Sequence, residues 1–122
     1  MSALSVVVTE DDPNVASLLL SSLEEHFGAP RLAGSLTELE SSLPQEPVDV
    51  VIADLETIRL RDVTHITHEL GVPVICVHRI PDEDMWTAAL QAGALDICLR
   101  TDARAIVDAV QNYMRAGAIT AA

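Results

Sequence analysis

The sequence predicts an α/β fold, a doubly wound and mainly parallel sheet of five strands alternating with five helices. Three observations predict it. Short β-branched runs alternate with stretches of helical apolar spacing along the whole chain. The turns between them are short, with no repeat or low-complexity linker. Several strand runs are continuously apolar, as strands covered on both faces are. Alternation of this kind implies right-handed βαβ crossovers and a parallel sheet.

The first strand is Leu4-Ser5-Val6-Val7-Val8. Asp12-Pro13 then reads as an N-cap followed by proline at the first helical position. Val15, Leu18, Leu19, Leu23 and Phe27 continue at helical spacing, and Gly28 stops the pattern. Arg31-Leu32-Ala33 is a short second strand. Ser35 with Glu38 makes a capping box for a helix carrying Leu36, Leu39 and Leu43, which Pro44 ends. The third strand runs from Val48 to Ala53, with Asp54 at its carboxyl end. Leu60, Val63, Ile66 and Leu70 give the third helix, closed by Gly71. Val72 to Val77 is the fourth strand, ending at His78. Pro81-Asp82 opens a fourth helix with Trp86, Ala89 and Leu90, and Gly93 ends it. Leu95 to Leu99 is the fifth strand. Thr101 or Asp102 caps the last helix, whose apolar side holds Ile106, Val107, Val110, Tyr113 and Met114.

A chain of 122 residues suits one domain, residues 1–122, with 117–122 expected to be a disordered tail. Hydrophobic residues make up 49% but aromatics only 2%, so the core is aliphatic. Acids outnumber bases 19 to 7, a formal charge of -12. That field repels nucleic-acid phosphates and leaves basic protein surfaces or cations as partners. No apolar run approaches the roughly 20 residues that span a bilayer, and Met1-Ser2-Ala3-Leu4 lacks a signal peptide's basic region. Cys76 and Cys98 sit in apolar runs and read as buried thiols of a cytoplasmic protein, although an oxidative crosslink between them stays open. No G-x-G-x-x-G is present, which argues against a dinucleotide site.

In doubly wound folds, sites gather at the carboxyl ends of the strands. Here that rule selects Glu10, Asp11, Asp54, His78 and Arg100. Carboxylates converging without a partner repel one another and raise each other's pKa. Mg²⁺ resolves this, since it takes carboxylate, water and phosphate oxygens. A strand-end carboxylate can also attack phosphorus and form an acyl phosphate, helped by a fixed cation such as Arg100. The bland readings are a solvated acidic turn in which Asp12 only caps a helix, and Asp54 as a strand terminator. His65, His68 and Glu69 have a spacing that can hold zinc, but histidines on a polar helix face are usually solvated. Trp86 reads as packing or interface.

These residues together resemble the receiver domain of response regulators. Val6-Val7-Val8-Thr9-Glu10-Asp11-Asp12-Pro13 is similar to its acidic first turn, and Asp49-Val50-Val51-Ile52-Ala53-Asp54-Leu55 to its phosphoacceptor strand. Pro73-Val74-Ile75-Cys76-Val77 resembles its fourth strand, and Ala88-Ala89-Leu90-Gln91-Ala92-Gly93-Ala94 the end of its fourth helix. The likeness covers residues 4 to about 115. It implies a flavodoxin-like strand order, 2-1-3-4-5. It makes Asp54 the phosphoacceptor, Glu10 and Asp11 the Mg²⁺-binding pair with Asp54, and Glu56 a metal ligand through its backbone carbonyl. It also implies a histidine kinase or phosphotransfer partner, a downstream protein target, and a homodimer through the last two helices.

The departures from that pattern are specific. His78 stands where a Ser or Thr normally bonds the phosphoryl group. Arg100 replaces a lysine, Thr101 a proline, and Ile97 the aromatic switch residue. Arginine is larger and planar, so it is not a neutral swap at a tight phosphate site. His78 titrates near neutrality and is bulkier than a hydroxyl. The leading expectation is therefore a two-component signalling module, not an enzyme, phosphorylated on Asp54. The alternative is a pseudo-receiver that works by interaction or dimerisation without phosphorylation. An aspartate-nucleophile phosphatase fits less well, because its Asp-x-Asp follows the first strand, whereas here Glu56 stands two residues beyond Asp54.

Overall fold

A computed structural model describes residues 4–121, with side chains in the last helix described through Arg115. The elements follow in strict alternation: β1 (Val6–Thr9), α1 (Pro13–Phe27), β2 (Arg31–Ala33), α2 (Leu36–Ser42), β3 (Val50–Asp54), α3 (Leu60–Thr64), β4 (Val74–His78), α4 (Glu83–Gln91), β5 (Asp96–Leu99) and α5 (Ala103–Ala121). The five strands form one sheet in the order β2-β1-β3-β4-β5, and every pairing is parallel. Fold class and strand order agree with the sequence expectation.

Alternate residues of each strand feed two separate aliphatic cores. Val7, Val51, Ala53, Val74, Cys76 and Ile97 face one side, where Leu39 of α2, Val63 of α3 and Ala89 of α4 pack on them. Val6, Val8, Val50, Ile52, Ile75, Val77 and Cys98 face the other, under Leu19 and Leu23 of α1 and Ile106 and Val110 of α5. The central strands are buried on both faces, which is why their sequences run apolar without alternation. Cys76 and Cys98 thus point to opposite faces of the sheet, and an intramolecular crosslink between them is ruled out. Burial pushes their thiols up, to about 12 and about 11, so neither is a ready nucleophile.

Capping explains most helix starts. Asp12 accepts from the backbone N–H of Asn14 and Val15, with Pro13 at the first helical position. Ser35 caps α2 through Glu38 N–H, but Glu38 reaches back to Gly34 N–H rather than to the cap residue itself. Asp82 caps α4, and Asp102, not Thr101, caps α5. Helical backbone in α5 continues through Ala121, past the Gly117 at which the tail was expected to begin, and Ala122 lies outside the described residues. No described helix is long and apolar enough to cross a membrane.

The third helix departs most from expectation. It is α-helical only over Leu60–Thr64 and widens into a π-helical turn over His65–Glu69. The extra residue per turn keeps Ile66 wholly buried while Thr67 abuts the end of α4. Gly93 ends α4 with φ at +110°, and a Cβ there would stand 2.6 Å from Thr67 Oγ1. Gly71 also has positive φ, at +69°, but nothing lies within 4 Å of its would-be Cβ. Gly93→Ala should therefore lower stability by on the order of 1–3 kcal/mol, from backbone strain and the clash together. Gly71→Ala should cost less, about 1 kcal/mol from the left-handed conformation alone. Urea unfolding midpoints of the two variants check the ordering.

Candidate functional site

The carboxyl ends of β1, β3, β4 and β5 come together at one edge of the sheet. Thr9 pairs with Ala53, so Glu10 and Asp54 are neighbours at the ends of adjacent strands. His78 pairs with Leu99, and Arg100 N–H donates to His78 O at 2.8 Å, which brings Arg100 back over the same edge.

Asp54 is wholly buried. Its Oδ1 accepts from Glu56 N–H at 2.9 Å and its Oδ2 from Arg100 Nη1 at 2.9 Å. The same Nη1 donates to Glu56 Oε2 at 3.0 Å and stands 4.0 Å from Glu10 Oε1. Glu56 Oε1 in turn accepts from Arg79 Nε at 2.6 Å. The resemblance gave Glu56 a role through its backbone carbonyl alone. Instead two arginines draw its side chain across the mouth of the site.

Glu10 is satisfied from its own turn on one side only. Its Oε2 accepts from Asp11 N–H at 3.0 Å, Asp12 N–H at 3.3 Å and Thr57 Oγ1 at 3.0 Å. Its Oε1 is buried without a hydrogen-bond partner. Burial pushes the Glu10 carboxyl up to about 7, and the neighbouring Asp54, whose charge opposes a second carboxylate and which can accept from a protonated Glu10, pushes the same way. Burial alone would raise Asp54 too. A proton held on Glu10, the Glu56 N–H and the Arg100 guanidinium outweigh it and hold Asp54 below the usual carboxylate range. Asp54 is thus the ionised member of the pair, and Glu10 keeps the proton up to near neutrality. Arg100 is only 14% exposed, yet its two carboxylate partners hold it more firmly charged than usual despite that burial.

Searches of family models and of curated proteins match nothing to this chain. Solved structures do match. The RcsB response regulator of Salmonella typhimurium superposes with a TM-score of 0.79 at 19% identity, over 96% of this chain and 62% of that one. This chain thus spans less than two thirds of that regulator's length. A response regulator from Thermotoga maritima gives 0.78 at 21% identity, covering 90% of this chain and 96% of its own. A Francisella response regulator receiver domain gives 0.78 at 18%, covering 93% and 98%. The chain has the receiver fold.

Set in that receiver fold, the sequence-selected residues divide. Glu10, Asp54 and Arg100 converge, and so does Glu56, through its side chain. Asp11 stays at the exposed rim, where its Oδ1 meets Thr57 Oγ1 at 3.1 Å and its N–H donates back to that hydroxyl at 3.2 Å. His78 makes no hydrogen bond to Asp54. Its Nδ1 accepts from Ile80 N–H at 3.1 Å, and Nε2 lies 3.9 Å from Glu56 Oε1, so it anchors the loop and faces the Glu56 carboxylate. Ile97 is packed into the core at the switch position, with no ring to swing. His65 pairs with Glu40 at 3.1 Å and belongs to no described metal-ligating group.

The Mg²⁺ expected from the resemblance does not fit these residues. The resemblance would seat the ion among the carboxylates of Glu10, Asp11 and Asp54, of which Mg²⁺ needs one or two beside water and phosphate oxygens. Among the described residues, no three His, Cys, Asp or Glu side chains gather closely enough to share a metal. Glu10 Oε2 accepts from two backbone N–H groups, the single Thr57 hydroxyl proton is shared between Glu10 Oε2 and Asp11 Oδ1, and Arg100 Nη1 lies against Asp54 Oδ2 and 4.0 Å from the unpartnered Glu10 Oε1. A guanidinium supplies the positive charge from within the chain.

Arg79 and Thr57 are the residues that sequence reasoning missed. Arg79 lies one residue beyond His78, which the strand-end rule had selected. Thr57 is a small polar residue that no spacing singles out.

The buried Glu10 gives the protein a pH signature. A carboxyl whose folded value exceeds its unfolded one stabilises the fold fully below the unfolded value and loses that contribution as pH rises through the folded value. Stability should therefore decline between about pH 4.5 and 7. Asp54 acts oppositely but only below its ordinary 3.8, outside this window. Glu10→Gln, which mimics the protonated form, should flatten the decline, as urea midpoints across that range will register.

Proposed function

We propose that this chain is a receiver-type signalling module that accepts a phosphoryl group on Asp54. The observation that carries the reading is the ionised Asp54 at the end of central strand β3, held 2.9 Å from a fixed Arg100 cation. The likeness in fold to response-regulator receivers supports it, and the donor is then a histidine kinase or phosphotransfer protein. An Asp54 carboxylate oxygen attacks phosphorus, the phosphorus–nitrogen bond of the donor phosphohistidine breaks, and the imidazole leaves as the neutral ring once protonated. Arg100 stabilises the charge that develops on the phosphoryl oxygens.

In this reading the chain acts through protein contacts and is not itself an enzyme with a turnover substrate. The net charge of -12 supports a protein partner over nucleic acid. An apolar groove of about 310 Å³ runs beside Arg100, lined by Val15, Leu18 and Leu19 of α1 and by Ala103 of α5. It gives a partner a place to dock beside Arg100. Trp86 on α4 and Leu99 on β5 expose apolar surface that suits a downstream target or a second copy. A cytoplasmic setting accords with the buried free thiols.

One observation favours a second reading. Asp54 is wholly buried beneath Arg100 and Glu56, as suits a phosphorylation-independent interaction module. Incubating the protein with acetyl phosphate in the presence of Mg²⁺ and measuring intact mass separates the two. A gain of one phosphoryl group that Asp54→Asn abolishes is the expected result. An unchanged mass would sink the phosphoacceptor reading and leave the second.

A further inference from the structure

We infer that Arg100 takes over the role a divalent cation would play, so that phosphoryl transfer to Asp54 proceeds without Mg²⁺. The inference rests on the phosphoacceptor reading for its chemistry and on the arrangement of Arg100 for its geometry.

Arg100 Nη1 is 2.9 Å from Asp54 Oδ2, 3.0 Å from Glu56 Oε2 and 4.0 Å from Glu10 Oε1. A metal bridging the acidic turn and the acceptor would have to displace that nitrogen. In the acidic turn, Glu10 Oε2 accepts from two backbone N–H groups, and it shares the one Thr57 hydroxyl proton with Asp11 Oδ1. The unpartnered oxygen there, Glu10 Oε1, lies 4.0 Å from the same Arg100 Nη1, so the guanidinium stands where an ion shared by Glu10 and Asp54 would sit. A second arginine, Arg79, balances the Glu56 carboxylate, so Asp54 and Glu56 meet Arg100 and Arg79 charge for charge. Taking a doubly charged ion into this cluster would mean expelling a guanidinium.

The fork geometry of arginine lets one side chain serve both the acceptor and the incoming group. Both hydrogen bonds to Asp54 and Glu56 come from Nη1. The N–H groups of Nη2 and Nε make no hydrogen bond among the described residues, which leaves them for oxygens of a transferring phosphoryl group. When that group arrives, Glu56 must give up Nη1 and swing outward on Arg79. With acetyl phosphate, an Asp54 oxygen bonds to phosphorus, the bond from phosphorus to the acetyl oxygen breaks, and acetate leaves with that electron pair. The acyl phosphate remains on Asp54, and no further co-reactant is needed.

The test is to incubate the intact chain with acetyl phosphate in EDTA or in millimolar Mg²⁺, following the adduct by intact mass. In parallel, thermal unfolding midpoints are taken with Mg²⁺ and with NaCl of equal ionic strength. The inference expects the same adduct rate in EDTA and Mg²⁺, and the same midpoint in both salts. Arg100→Lys keeps a charge and should fold, but it loses the fork, and its rate in EDTA should fall on the order of 100-fold, the scale of deleting one preorganised charge stabiliser. An adduct that needs Mg²⁺ in the unaltered chain overturns the inference, as does a midpoint raised specifically by Mg²⁺, since a bound ligand stabilises the folded state. No adduct in either condition overturns the phosphoacceptor reading itself. The midpoints then still report on whether Arg100 excludes the ion.

Discussion

The contact between Arg100 Nη1 and Asp54 Oδ2 is the interaction on which the site depends. An ionised carboxylate wholly buried at the end of a central strand is strongly unfavourable unless a charge and hydrogen bonds meet it. Arg100 supplies the charge, and Glu56 N–H supplies the second bond. The rest of the arrangement follows from that pairing. Glu56 is drawn over the site because the same nitrogen that holds Asp54 also holds it, and Arg79 fixes its other oxygen. Glu10 is left as the neighbour whose charge has no counterpart, and it responds by keeping its proton. Removing one partner of a buried pair strands the other, which typically costs about 3–5 kcal/mol. The same contact that organises the chemistry therefore also secures the end of β3.

The scaffold around this contact was largely legible in the sequence. Asp12-Pro13, Pro81-Asp82 and Asp102 announce helix starts because short side chains cap exposed backbone N–H groups in a local, sequence-bound way. The unbroken apolar run before Asp54 announces a strand buried on both faces, and the strand-end rule then picks out Glu10, Asp54 and Arg100. What escaped has a common physical cause. The π-helical turn at His65–Glu69 arises from fitting Ile66 into the core while Thr67 meets the end of α4, a tertiary demand with no local signal. The Glu56 side chain went unassigned because the resemblance uses only its backbone carbonyl. Only the folded geometry shows two cations, one residue beyond β4 and one beyond β5, converging on it. Arg79 and Thr57 were missed for the same reason, since periodicity describes which face a residue occupies and not where a long side chain reaches.

The positions that differ from the receiver pattern form one consistent set when placed in space. Ile97 is packed in the core beside Cys76 and Val74, so the fifth strand has no mobile ring. His78 spends Nδ1 on the loop backbone and turns Nε2 toward Glu56. What can move is on the surface of the site: Glu56, 35% exposed, and Arg79, 63% exposed, joined by an ion pair. A group entering at Asp54 would disturb that pair first. The least buried groups around Asp54 thus lie in the loops after β3 and β4.

Arginine at position 100 has to be weighed against composition. All seven basic residues of this chain are arginine, and lysine is absent throughout. The substitution by itself is therefore a property of the whole chain and is weak ground for a functional argument. Its geometry is a different matter. A lysine ammonium is a point donor on a flexible stem, whereas the planar guanidinium can hold Asp54 and Glu56 through one nitrogen and still present N–H groups elsewhere. Two of the seven arginines, Arg79 and Arg100, meet on a single carboxylate. In a chain with a net charge of -12, that concentration of positive charge beside one buried aspartate is what distinguishes the site from the acidic surface around it.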